Sequence, residues 1–188
     1  NRASRPVHIT HLVSVEEGVE LCRQDVRVAL ALGRRLVVRP RRVLLVCMGN
    51  ICRSPTAEEV LRVHAQRAGL ELHLDSAGTE DYHRGDPPDA RSVLHAKRRG
   101  YDLTGLRARQ VCSDDFRDFD LLLAADVLNL GVLRDRCPPA YHHKLALFLG
   151  DRALPDPYYG QASDFEKVLD LVEKRAVSLL SEWQATTD

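Results

Sequence analysis

Cys47 and Arg53, separated by Met48, Gly49, Asn50, Ile51 and Cys52 and followed by Ser54-Pro55, are the residues of this chain best suited to chemistry. A loop of that length can turn its backbone N–H groups onto one anion, and a helix starting at its end adds positive potential there. The Arg53 guanidinium offers a planar fork that fits two phosphate oxygens. A thiol at the floor of such a cradle loses its proton readily, and the Ser54 hydroxyl is placed to donate to the thiolate. The chemistry implied is attack by sulfur on a bound phosphoryl group. The plain alternative is a small apolar cysteine closing a core strand, beside an ordinary surface arginine. The flanking elements separate the two.

Residues 43–46 form an unbroken apolar run, with valine at both ends, and predict a short strand buried on both faces. Gly49 and Asn50 are the residues best able to adopt unusual backbone angles in the turn that follows. Ser54 suits a helix N-cap and Pro55 the first helical position, so a helix is expected over 56–68, stopped at Gly69. This order puts Cys47 at the carboxyl end of a strand, where open α/β folds bind ligands.

The rest of the chain alternates in the same way. A second strand is expected over 70–75, then a Gly/Pro/Asp-rich loop over 76–89 that carries Tyr82 and His83. A helix follows over 88–99, a short one over 115–119, and a third strand over 120–125. Asp126 caps a helix over 127–134, and Cys137-Pro138-Pro139 breaks the chain. A fourth strand over 144–149 leads to a loop over 150–161, and Ser163 caps a last amphipathic helix ending near Trp183. The fold class expected is α/β: a three-layer sandwich with a four-stranded parallel sheet, helices on both faces, and an N-terminal helical extension. The expected division is 1–41 for the extension and 42–188 for the domain.

The extension begins with a polar, arginine-rich stretch, then a partly alternating run over 7–13. An amphipathic helix is expected over 15–32, with Ser14 and Glu17 as a capping box and Gly33 after its end. Its apolar face implies burial on the domain, on a second copy or on a fused domain, all three left open. The chain starts at Asn1, without methionine, which suggests trimming from something longer.

Composition narrows the classes. The chain has 188 residues, 44% hydrophobic and 29% charged, with 27 basic and 27 acidic residues. Nine arginines against four acids fall in 1–42, leaving 18 basic and 23 acidic residues beyond. That mildly acidic remainder argues against nucleic acid. The cluster Arg34, Arg35, Arg39, Arg41 and Arg42 reads as a solvated linker. No apolar run approaches the roughly 18 residues of a membrane span. The five cysteines, Cys22, Cys47, Cys52, Cys112 and Cys137, are odd in number and lack CxxC spacing. They fit free thiols in a reducing, cytoplasmic setting, with no metal and no cofactor.

Residues 46–58, Val-Cys-Met-Gly-Asn-Ile-Cys-Arg-Ser-Pro-Thr-Ala-Glu, resemble the signature of the low-molecular-weight protein tyrosine phosphatases. So do Asp75-Ser76-Ala77-Gly78-Thr79, Gly85-Asp86-Pro87-Pro88-Asp89, Ala108-Arg109-Gln110-Val111 and Asp156-Pro157-Tyr158-Tyr159. The resemblance spans about Arg42 to Trp183 and excludes the extension. It implies hydrolysis of phosphotyrosine through a phosphocysteine on Cys47. Arg53 and the loop of Met48, Gly49, Asn50, Ile51, Cys52 and Ser54 would bind phosphate. Asp156, which from sequence alone is as readily a turn residue, would be the general acid and base. Ile51, Tyr82, Tyr158 and Tyr159 would form the rim. Ile51, where arginine phosphatases of this kind carry threonine, favours phosphotyrosine. Cys52 would be the redox partner of Cys47, and Asn50 and Ser54 would brace the loop. Asp126 and Asn129 would be structural supports, and Arg99 stands where some members have a histidine that braces the loop asparagine.

The resemblance also implies a phosphotyrosine protein substrate and, opposite it, a tyrosine kinase. Three competing uses of the cradle remain: arsenate reduction, which needs a cysteine relay that Cys112 and Cys137 do not form; a non-catalytic phosphate-binding module; and a phosphocarrier, for which Arg53 and Asp156 would be counterproductive.

Overall fold

In a computed structural model, residues 39–186 are described. The expected strand over 7–13, the helix over 15–32, its cap, Cys22, Arg34 and Arg35 lie outside them. Four strands form one parallel sheet in the order β2-β1-β3-β4: β1 (Arg42–Cys47), β2 (His73–Gly78), β3 (Leu121–Ala124) and β4 (Leu145–Leu147). The helices are α1 (Arg53–Arg67), α2 (Ala90–Arg98), α3 (Ser113–Asp118), α4 (Val127–Arg136) and α5 (Ala162–Gln184), with a 3₁₀ turn over Pro139–Lys144. The expected α/β sandwich is what the chain forms.

β1 is the centre of the domain because its side chains serve both faces of the sheet. Val43, Leu45 and Cys47 pack with Val60, Leu61 and Ala65 of α1 and Val168, Val172 and Leu179 of α5. Leu44 and Val46 pack with Phe116, Phe119 and Leu133 on the opposite face. The strict alternation of a strand thus explains why the apolar run is continuous. Register pairs Cys47 with Gly78 and Val46 with Ala124, so β1, β2 and β3 end together beneath one edge of the sheet. Asp120 fixes the entry to β1 by accepting the N–H groups of Arg41 and Arg42 at 2.8 and 2.9 Å.

Several boundaries differ from expectation for identifiable reasons. Leu70 does not begin β2. Its N–H bonds the Ala65 carbonyl and the Gly69 N–H bonds that of Gln66, a Schellman closure of α1 with Gly69 at φ +67°. β2 instead runs on through Ser76 to Gly78, held by its pairing with β1. α1 starts at Arg53 with Cys52 as N-cap, so Ser54 and Pro55 lie inside its first turn. Asp89, not Pro88, opens α2, its carboxylate accepting from the Arg91 N–H. Gln161, not Ser163, caps α5, paired with Asp164. Asp126 caps α4 as expected. Among the described residues, no helix is long and apolar enough to cross a membrane.

Candidate active site

The loop between β1 and α1 is shaped by what its carbonyls bind. Those of Cys47 and Met48 accept from the N–H groups of Thr79 and Glu80 at 2.9 Å each, and that of Ile51 accepts from Asp89 N–H at 2.8 Å. In a trans peptide the next N–H points opposite to the carbonyl. The N–H groups of Met48, Gly49 and Cys52 therefore turn away from these anchors. Gly78 has to be glycine here, since a Cβ would lie 2.6 Å from the Met48 carbonyl oxygen. The unusual backbone angle falls on Asn50 alone of the two expected residues, at φ 56°. A Cβ on Gly49 would make a tight contact, 3.0 Å from the His83 ring.

Asn50 is locked by its side chain. Its Nδ2 donates to Ser54 Oγ and Ser76 Oγ, both at 2.9 Å, and its Oδ1 accepts from the Arg109 N–H at 3.0 Å. Ser76 in turn donates to Glu58 Oε2 at 2.6 Å. Glu58 is buried, and burial raises its pKa from the ordinary value; Ser76 and the ion pair with Arg62 pull it back. Ser54 Oγ accepts from Asn50, donates to the Ala77 carbonyl at 3.4 Å and stands 3.1 Å from Cys47 Sγ, where either group can be the donor. Asn50 and Ser54, the two residues expected to brace the loop, are hydrogen-bonded to each other. Arg99 takes no part: it pairs with Glu166, Asp170 and Glu173 between α2 and α5, and Ser76 and Arg109 hold Asn50 instead.

Arg53 is 3% exposed and donates three hydrogen bonds. Nη1 donates to Asp126 Oδ2 at 2.6 Å and to the Leu154 carbonyl at 3.3 Å, and Nη2 donates to Asp156 Oδ2 at 2.7 Å. Burial opposes its charge, but Cys47, Asp156 and Asp126 outweigh that and raise its pKa. Asp126 thus does two things, capping α4 through the Asn129 N–H at 2.8 Å and holding Arg53. Asn129 Oδ1 accepts from Thr79 Oγ1 at 3.3 Å, and its buried Nδ2 has no partner among the described residues.

Cys47, Met48, Gly49, Ile51, Cys52, Arg53, Tyr82, Asp156, Tyr158 and Tyr159 line one cleft of about 230 Å³. The sequence signals scattered over more than a hundred residues thus converge. Tyr82 and Tyr159 are largely exposed, and the Tyr158 and Tyr159 rings meet edge to face at 4.9 Å. Sequence reasoning passed over His83, which also lines the cleft, with Nδ1 3.3 Å from Asp86 Oδ2. Its only signal was its place beside Tyr82. Cys52 is buried against Ile51, Ala108 and Phe165. Burial pushes its thiol up to about 12 despite a hydrogen bond with Ser92. Cys47 and Cys52 are both free thiols.

The family model for low molecular weight phosphotyrosine protein phosphatases matches residues 42–187. A Synechocystis protein named as a low molecular weight protein-tyrosine-phosphatase is 45% identical over 149 residues, 74% of this chain and 94% of that one. A crystal structure of a low molecular weight phosphotyrosine phosphatase from Vibrio cholerae O395 is similar at TM-score 0.75 and 36% identity, over 78% of this chain and 99% of that one. A protein tyrosine phosphatase of Entamoeba histolytica, crystallised with Hepes in its active site, gives 0.74 and 38%, over 77% and 97%.

Proposed function

The chain belongs to the low molecular weight phosphotyrosine protein phosphatase family, and from that premise we propose that Cys47, Arg53 and Asp156 carry its reaction. It is a protein-tyrosine phosphatase, a hydrolase working through cysteine. The observation that carries the assignment is the shared cleft: Cys47 under the Ser54 hydroxyl, with Arg53 joining Asp126 on one side to Asp156 on the other.

In the first step the Cys47 thiolate attacks phosphorus, forming an S–P bond as the P–O bond to tyrosine breaks. The leaving oxygen takes the electron pair and a proton from Asp156. A phenol, with a pKa near 10, leaves more easily for that protonation. In the second step water attacks phosphorus, Asp156 takes its proton, the S–P bond breaks and the thiolate is restored with release of inorganic phosphate. The loop N–H groups and the Arg53 fork stabilise the non-reacting oxygens throughout, and the Ser54 hydroxyl stabilises the thiolate. The tyrosine rings and Ile51 wall the cleft where a substrate phenyl ring would lie.

The substrates are phosphotyrosine proteins, with a tyrosine kinase as the opposing enzyme and the cytoplasm, where Cys47 stays reduced, as the site of action. Cys52 is the nearby thiol suited to trap an oxidised Cys47 as a disulfide. The amphipathic helix expected within residues 1–41 would bury its apolar face on the domain, on a second copy or on a fused domain. The decisive test is steady-state hydrolysis of phosphotyrosine, phosphoserine and phosphoarginine peptides without metal. Turnover confined to phosphotyrosine, abolished in Cys47→Ser and strongly reduced in Asp156→Ala, is the expected result. An active Cys47→Ser enzyme would sink the scheme.

A further inference from the structure

The loop that carries Asp156 is gripped from outside the cleft. Arg91 Nη2 donates to the Tyr158 carbonyl at 3.0 Å, and its guanidinium lies 4.7 Å from the Phe165 ring centroid and 5.7 Å from that of Tyr158. The N–H of the same Tyr158 donates to Asp156 Oδ1 at 3.1 Å. One residue therefore links Arg91 to the carboxylate: its carbonyl is held from α2 and its N–H holds Asp156.

Arg91 is fixed at its other end too. Its Nε and Nη2 donate to the two oxygens of Asp89 at 3.0 and 2.8 Å, a fork-on-carboxylate pair. Asp89 is also the residue whose N–H holds the Ile51 carbonyl in the phosphate loop. From Asp89, then, one arm reaches the loop that would bind phosphate and the other, through Arg91, reaches the loop that bears the acid. The Arg91 side chain is 45% exposed, so burial does not hold it in place; the fork and the two rings do.

We propose that Arg91 is a positioning residue for proton delivery, registering Asp156 against the phosphate loop through the Tyr158 peptide. This rests on the reading of Asp156 as the general acid. The role uses the Nε/Nη2 fork on Asp89, a donor to the Tyr158 carbonyl and contacts with two rings. Lysine supplies charge and donors but no planar fork, so it restores the function only in part.

The test separates this proposal from the one beneath it. The kcat/KM values of wild type, Arg91→Ala, Arg91→Lys and Asp156→Ala are measured on phenyl phosphate, whose leaving group needs a proton, and on 2,4-dinitrophenyl phosphate, whose leaving group does not. Arg91→Ala should lose about ten- to a hundredfold on phenyl phosphate and less than about threefold on the dinitrophenyl ester. Arg91→Lys should fall between Arg91→Ala and wild type. Equal losses on both esters, or no loss, in Arg91→Ala would overturn the positioning role while Asp156→Ala still discriminated between them. If Asp156→Ala itself showed no discrimination, the acid assignment would fail instead.

Discussion

Arg53 holds Asp156 at 2.7 Å through Nη2 while its Nη1 holds Asp126 at 2.6 Å, so one buried guanidinium bridges two carboxylates. A phosphate dianion needs donors from that same fork, and Asp156 both occupies one and repels the incoming charge. Removing the charge while keeping the shape should have opposite effects on rate and on anion affinity. Asp156→Asn should lower kcat/KM for phenyl phosphate by about a hundredfold or more, and tighten competitive inhibition by inorganic phosphate several-fold. Unchanged or weaker phosphate inhibition would show that the pair does not compete with the anion.

Asn50 combines a left-handed backbone with three side-chain hydrogen bonds, so its backbone angle and its bonds can be tested separately. Asn50→Gly keeps the φ of 56° at no steric cost and loses only the bonds; Asn50→Ala loses both. With about 1 kcal/mol for each bond and 1–2 kcal/mol for alanine in this region, Asn50→Ala should be the less stable by roughly 1–2 kcal/mol. Denaturant midpoints of the two variants measure that difference. Both should lose activity, because Ser54, 3.1 Å from Cys47 Sγ, loses the hydrogen bond from Asn50 that holds it.

The central strand, the nucleophile and the arginine were legible because each is a local signal: an apolar run, then Cys-x5-Arg, then a helix. Helix starts were less so, since Ser54, Pro88 and Ser163 look like caps in isolation. Ser54 is drawn inside α1 because its hydroxyl serves Cys47 and Asn50, a demand that arises only once β1 and β2 pair. The polar end of β2, Ser76 to Gly78, resembled loop because those residues serve the phosphate loop rather than the core. Arg91 and Tyr158 lie 67 positions apart, and nothing local to either one announces the other.

Cys52 sits in the same loop as Cys47, packed against Ile51, Ala108 and Phe165. With its thiol pushed up to about 12 by burial, only about one part in ten thousand is thiolate at pH 8. Iodoacetamide at that pH should therefore modify Cys47 and leave Cys52 untouched, with inorganic phosphate protecting Cys47. Peptide mass spectrometry distinguishes the sites, and the exposed Cys112 serves as an internal positive control. Modification of Cys52 at a rate close to that of Cys112 would contradict the burial argument.

Glu166 ties α5 to α2, meeting His95 Nδ1 at 2.5 Å and Arg99 Nε at 3.0 Å. These partners, His95 first and Arg99 next, lower its pKa below the ordinary glutamate value of 4.5. A carboxylate whose pKa is depressed by folding stabilises the fold fully above its unfolded value. That contribution fades as pH falls through the lower, folded value. Glu166 is more than a third exposed, so screening holds the contribution to about 1 kcal/mol or less. Wild type should therefore exceed Glu166→Gln in denaturant midpoint at pH 6–7, and the gap should close on acidification from pH 4.5 downwards. A gap that stayed constant with pH would mean that the glutamate acts through packing alone. Phe165, its neighbour, packs on Ile51 and Cys52, so the same variant also reports how firmly α5 backs the phosphate loop.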